Sequence, residues 1–461
     1  MMRLLLCLST LLVTTIAKSQ RVFTLQEYLA VVARYHPVAK QAALGVDIAG
    51  TDVTIARGAF DPMLTGEIGR KEFGGLLYYD YDNAEVRIPT WYGLDLVTGI
   101  ETLRGARTSD PETLGSSSYV GVSAPVVKGL LFDKRRAALQ QARIFQQLSV
   151  QEQNAILNNL LYDAAQAYWN WWEIYQLNNL FAQAISNAEQ RLRLVRQAYE
   201  LGDRPAIDTT EALAQLQSFQ TRAAEITADQ TISQLELGVF LWQDNGTAYA
   251  LPPSVVPQPA TIDFSLDLQQ LLAQLPLHPD LLQYRFKLDA LNIDRRLYFQ
   301  QLLPEVYLKY NQLTRGHNPV EVTKEPFLRN NYRYGVTLAM PLRLSEGRGL
   351  YRQARLKINQ TELARLNKEV ELQTKVRQYH NQWIQLIQQV QLQQAAINSF
   401  ATLQRGEEVR FQNGESSLFL INTRELKTLE AREKLIFLQS KLQKAGASAV
   451  WASGSFASTQ R

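Results

Sequence analysis

The sequence predicts a mainly α-helical chain with a small transmembrane β part, built from one plan used twice. Three observations carry this. Long stretches are free of helix breakers, with neither Gly nor Pro from Ala137 to Tyr199. Short runs alternate apolar with small or polar residues and end at a Pro, as in 119–126 and 334–342. These features recur in the same order in both halves, which is the mark of an internal repeat.

The repeat is read from spacing. Leu25-Gln26 leads to His36-Pro37, and Pro62 follows 25 residues after Pro37. Leu268-Gln269 leads to His278-Pro279, and Pro304 follows at the same interval. Each half then continues with strands, a long helix, a break at Gly and a second helix. The first repeat is placed at 20–243, with a β-hairpin over 63–126 and a helical hairpin over 134–242. A connector rich in proline covers 244–266. The second repeat is placed at 267–446, with a β-hairpin over 305–342 and a helical hairpin over 350–446, followed by a C-terminal tail at 447–461. His36 and His278 precede Pro at matching places and read as helix starts.

The first nineteen residues read as an export signal. Arg3 precedes an apolar run from Leu4 to Ile16, and Ala17-Lys18-Ser19 places small residues before a cut at Gln20. The run is too short to span a bilayer as a helix. The only cysteine, Cys7, lies inside it, so disulfides, a Cys nucleophile and a Cys metal site are excluded from the exported chain. Across the whole chain 48 basic residues nearly balance 44 acidic ones, which argues against nucleic acid as a partner. Any membrane crossing must use strands.

The best strand is 332–340. Tyr332, Tyr334, Val336, Leu338 and Met340 alternate with Arg333, Gly335, Thr337 and Ala339. In the first half Val120, Val122, Ala124 and Val126 alternate with Tyr119, Gly121, Ser123 and Pro125. Weaker strands precede them at Leu64–Ile68 and at Val306, Leu308 and Tyr310. Outer-membrane strands need about 9–11 residues and closed barrels at least about eight strands. Four strands per chain therefore require several chains in one barrel, and three copies give twelve. Residues 73–118 read as a long outward loop or an extended hairpin, with 92–103 alternating well enough for a further strand.

The helices carry two seams. Leu157, Leu161, Ala164, Tyr168, Trp171 and Tyr175 step by four and three, and Ile174, Leu177, Phe181, Ala184 and Ala188 do so on another register. Leu372, Val376, Tyr379, Trp383, Leu386 and Val390 repeat the pattern. Two seams mean neighbours on two sides, as in a wall. The remaining faces are polar and lightly charged: seven of the thirteen residues from Gln382 to Gln394 are Gln. Such a face suits either a wet channel or bulk water. A helix from 137 to 199 is about 95 Å long at about 1.5 Å per residue.

Both long helices break in the same way. "YELGDRPAID" at 199–208 and "FQNGESSLFL" at 411–420 each place an aromatic three residues before Gly. Pro205 opens one returning helix, and Ser416 or Ser417 caps the other. Each break therefore reads as the tip of a helical hairpin.

In this ordered, duplicated plan and in the two turns, the chain resembles the outer-membrane efflux proteins of the TolC family. The resemblance covers nearly all of the exported chain. It implies a homotrimer whose twelve strands form one barrel in outer-membrane lipid, continued by a periplasmic α-helical barrel. It implies that the tips meet a periplasmic adaptor, or membrane fusion, protein that joins an inner-membrane pump. Tyr199, Gly202 and Asp208 match the first tip motif, and Phe411 and Gly414 the second; with Pro205 and Ser417 they are the expected tip and adaptor contact. Related proteins carry aspartates six and nine residues after the second Gly, where this chain has Leu420 and Thr423. They also carry Tyr and Arg where this chain has Phe411 and Ser416. Asp208, Leu420 and Thr423 are the expected constriction, with Asp208 its acid and Leu420 an apolar ring.

The sequence shows no catalytic, cofactor or metal constellation. His36, His278, His317 and His380 lack partners at ligand spacing, and no phosphate loop or nucleophile elbow is present. The chain reads as a non-enzymatic, passive channel of a tripartite efflux or type I secretion system. The alternative is a soluble periplasmic coiled-coil scaffold or adaptor without a pore. The exported substrate is not written in the sequence.

Overall fold

The computed structural model describes residues 21–106, 113–252, 254–260, 265–324 and 326–456. The export signal and Cys7 lie outside them. In chain order the elements are β1 (Arg21–Phe23), α1 (Leu25–Tyr35), α2 (Pro37–Arg57), β2 (Met63–Phe73), β3 (Leu76–Pro89), β4 (Asp95–Arg104) and β5 (Gly115–Pro125). Next come α3 (Lys134–Glu200), α4 (Ala206–Phe240), β6 (Val255–Pro257), α5 (Leu268–Gln274) and α6 (Pro279–Gln300). The chain ends with β7 (Glu305–Arg315), β8 (Tyr332–Ala339), α7 (Ser345–Gln412) and α8 (Leu418–Ala452).

The chain forms two compact units that cut across the two repeats. Among the described residues, one holds those within 21–40, 157–274 and 374–456, the other those within 41–156 and 275–373. The first is helical. The predicted seams are its core: Leu161, Ala164, Tyr168 and Trp171 of α3 are buried with Tyr28, Leu29 and Val32 of α1 and Leu237 of α4. Trp169, Trp171 and Trp172 are all buried there. The second α3 seam, from Leu177 to Ala188, packs on Ala212, Leu216 and Phe219 of α4 and on Leu418 and Leu429 of α8. Trp383, Leu386 and Val390 of α7 pack on Leu438, Leu442 and Ala445 of α8. The Tyr168 hydroxyl donates to the Phe23 carbonyl at 2.7 Å and accepts from the Gln258 N–H at 3.0 Å. It thereby ties down the short parallel pair of β1 and β6.

His36 and His278 do cap helices. Their Nδ1 atoms accept from the N–H groups of Val38 (3.2 Å) and Asp280 (3.1 Å). The expected tail begins too early. Residues 447–452 continue α8, because Ala447, Val450 and Trp451 pack on the α1–α3 core and Trp451 Nε1 donates to Asn159 at 2.7 Å.

The second unit holds one antiparallel sheet of six strands, ordered β2-β3-β4-β5-β7-β8. Six strands replace the expected four, and of the two readings left open for 73–118 the extended hairpin is the one the sheet contains. Residues 76–89 and 95–104 are both strands, paired to each other and to their neighbours over nearly their whole length. Their polar residues read as loop because the chain alone hides their partners. Glu85 and Glu101 are buried on one face, where Tyr119, Ser117, Arg87 and Arg333 bond to them. Gly121 is required on that face, since a Cβ there would stand 2.1 Å from Asn311 Oδ1. The opposite face is apolar and open at both edges: Ile68 of β2 is 84% exposed and Leu338 of β8 72%. Among the described residues no helix is long and apolar enough to cross a membrane.

Candidate functional site

The two helical hairpins turn with the same backbone. Gly202 and Gly414 hold φ of +79° and +77°, a region that costs an L side chain roughly 1–2 kcal/mol. In the first turn the Gly202 N–H donates to the Tyr199 carbonyl (2.9 Å) and the Asp203 N–H to that of Ala198 (2.9 Å). In the second the Gly414 N–H donates to the Phe411 carbonyl (3.0 Å) and the Glu415 N–H to that of Arg410 (2.9 Å). These are matched Schellman closures, which satisfy carbonyls that a helix end leaves open. The aromatic three residues before Gly supplies one of the accepting carbonyls in each turn.

The returning helices start differently. Pro205 is the residue before the first turn of α4 and caps it without a side chain. Ser417, not Ser416, caps α8, its Oγ accepting from the Leu420 N–H at 3.4 Å. Ser416 Oγ instead donates to Glu407 Oε1 at 2.5 Å. Leu418 is buried directly after the cap, and burying such a side chain contributes about 1.5–3 kcal/mol, more than the Gly break costs.

The expected constriction residues have separate surroundings. Asp208 lies in the first turn of α4, its Oδ2 3.9 Å from Arg204 Nη1. Arg204 also lies over the Phe411 ring at 4.0 Å, and its Nη2 donates to the Phe411 carbonyl at 3.5 Å. One arginine therefore brings together Asp208 of the first turn and Phe411 of the second. Leu420 is partly exposed at the start of α8. Thr423 spends its hydroxyl on the Phe419 carbonyl at 2.8 Å. Tyr199 is exposed.

Sequence reasoning missed Arg204, although a signal for it existed. It stands two residues after Gly202, as Ser416 stands two residues after Gly414, so aligning the turns would have set an arginine against a serine. Also missed was a polar network behind the turns. Arg191 of α3 makes a two-pronged bond to Glu425 of α8, with Nη2 to Oε1 at 3.0 Å, and donates to Asn422 Oδ1 at 3.1 Å. Asn422 Nδ2 in turn donates to Glu211 Oε1 of α4 at 3.1 Å. Glu425 and Asn422 are buried, so this charge depends on its partner. Among the described residues no group of three His, Cys, Asp or Glu is placed to hold a metal ion.

Residues 93–241 match the family described as outer membrane efflux protein. No curated protein matches the chain by sequence. Solved structures do match it. The outer membrane protein VceC of Vibrio cholerae aligns with 93% of this chain and 96% of its own at 14% identity, with a TM-score of 0.64. The CmeC outer membrane channel of Campylobacter jejuni aligns over 93% and 85% at 14% identity, TM-score 0.64. The open state of the MtrE outer membrane channel of Neisseria gonorrhoeae aligns over 93% and 88% at 14% identity, TM-score 0.65. The chain has the fold of the outer-membrane efflux channels.

Proposed function

We propose that the chain is the outer-membrane channel of a tripartite efflux or type I secretion system. It acts as a passive conduit from the periplasm to the exterior. The observation that carries this is the union, in one chain, of an open sheet with an apolar exposed face and two helical hairpins closed by matched Gly turns. The apolar face needs lipid, and its two unpaired edge strands need further copies of the chain. A homotrimer supplies both. A soluble scaffold has no use for such a face.

In this reading the turns are the periplasmic tips and the docking site of an adaptor, which links the channel to an inner-membrane pump. Tyr199, Gly202, Pro205, Phe411, Gly414 and Ser417 present the adaptor surface. Asp208, Leu420 and Thr423 face the narrowest passage, with Arg204 holding the two turns of one chain together. Leu420 then gates by excluding water. Fractionation tests the first part: the protein is expected in the outer membrane as a detergent-dependent trimer, and a soluble periplasmic monomer contradicts it. Passive leak tests the second: Leu420→Ala is expected to raise it, and an unchanged leak removes Leu420 from the gate.

A further inference from the structure

The β3–β4 hairpin, residues 76–104, is the part of the sheet that the sequence leaves open between an outward loop and an extended hairpin. Its turn, however, reaches the helix end of the unit. Trp91 stacks on Phe60, just before β2, with ring centroids 4.1 Å apart. Asp95 accepts from Arg135 Nη1, in the first turn of α3, at 3.0 Å. The turn closes on itself as well, the Thr90 N–H donating to the Leu94 carbonyl at 2.9 Å. An outward loop would leave the sheet at the opposite end, where β2 passes to β3 at residues 74–75.

The hairpin also continues the pattern of the wall. One cross-strand row runs Leu64, Val86, Thr98, Val120, Gln312 and Tyr332 across all six strands. The next row runs Ile88, Leu96, Val122, Tyr310 and Tyr334. Cross-strand partners share a face, so Ile88, Val86 and Leu96 stand on the same side as the exposed Val336 and Leu338. A strongly apolar groove of about 970 Å³ on this side is lined by Ile88, Leu96, Val122 and Leu308, and part of it is walled by Val322, Phe327 and Leu328 of the segment between β7 and β8. The other face of the hairpin is the reverse. There β4 buries Val97, Glu101 and Leu103 in alternation. Glu85 and Glu101 line a polar cavity of about 880 Å³ together with Lys309 and Arg333.

We propose that residues 76–104 form a membrane-embedded hairpin of the channel wall, with Ile88, Val86 and Leu96 toward lipid and Glu85 and Glu101 toward the passage. Three copies then give an eighteen-stranded wall whose passage face carries paired charges, Glu85 with Arg87 and Glu101 with Arg333. Barrel diameter grows roughly linearly with strand number, so the passage at this level is wider than twelve strands allow. This inference rests on the channel reading.

Single cysteines introduced into the exported chain, which has none of its own, test it in the trimer reconstituted into liposomes. Val86→Cys and Leu96→Cys carry a fluorophore, with Val336→Cys as the reference wall position. Brominated lipid is expected to quench Val86→Cys and Leu96→Cys as it quenches Val336→Cys. A water-soluble maleimide is expected to react several-fold faster with Asn83→Cys, on the passage face. Equal reaction at positions 83 and 86 with no quenching at 86 or 96 overturns the hairpin assignment. A trimer that inserts and conducts while Val86→Cys stays in water refutes this inference alone. A folded trimer that never conducts refutes the channel reading.

Discussion

The two helical turns share a backbone and differ in almost every side chain. Both close on a positive-φ glycine with the same pair of hydrogen bonds. The first turn then carries an arginine that reaches Asp208 and Phe411, and its returning helix starts at a proline. The second carries a serine that bonds Glu407, and its returning helix starts at a capping serine. Reversing a helix is thus solved once by local backbone chemistry. What holds the turns in place is solved differently each time, by side chains.

The largest expected effect removes what holds both hairpins together. Arg191→Met leaves the buried Glu425 unpaired and should cost about 3–5 kcal/mol, measured by denaturant unfolding of the purified protein. A cost below about 1 kcal/mol would mean that Glu425 is not held by Arg191 alone. Next come the glycines. Gly202→Ala and Gly414→Ala should each cost about 1–2 kcal/mol and should agree with one another. Unequal costs would break the equivalence of the two backbones.

Smaller effects sharpen the difference between the turns. Ser417→Ala should cost about 1 kcal/mol through loss of the cap. Pro205→Ala should cost less, since Pro205 contributes chiefly by limiting the unfolded chain. Arg204→Ala should cost about 0.5–1 kcal/mol, with Arg204→Lys recovering part of it, because its stacking on Phe411 is partly exposed. Differential melting of these four variants would reveal whether the second turn depends on the first.

The smallest effect is pH-dependent. Burial lowers the His36 pKa, although a bond to the Val239 backbone works against this. The folded state therefore binds this proton less readily than the unfolded chain. The stability it contributes is complete above the unfolded histidine value, about 6.5, and is lost as pH falls through that value toward the lowered folded one. His36→Gln should flatten this part of a stability–pH curve, and an unchanged slope would assign it elsewhere.

The duplication, the long helices and the two turns were legible in the sequence because their signals are local. Gly at a helix end, Pro or Ser at a helix start and apolar steps of three and four need no distant partner. Strand β4 was legible in the alternation of 92–103, but β3 was not, because Asp80, Asp82, Asn83 and Glu85 look like loop until Tyr119, Arg87 and the sheet neighbours are placed beside them. Arg204 was missed for the same reason: an arginine after a turn glycine reads as solvated until Phe411 lies beneath it. The end of α8 was cut short because its anchors, Asn158 and Asn159, lie almost three hundred residues upstream.

The most direct test of the channel account is the single-channel conductance of the purified trimer in a planar bilayer. The account predicts stable, discrete openings from the wild type and a larger conductance from Leu420→Ala. A folded trimer that inserts no pore would contradict it.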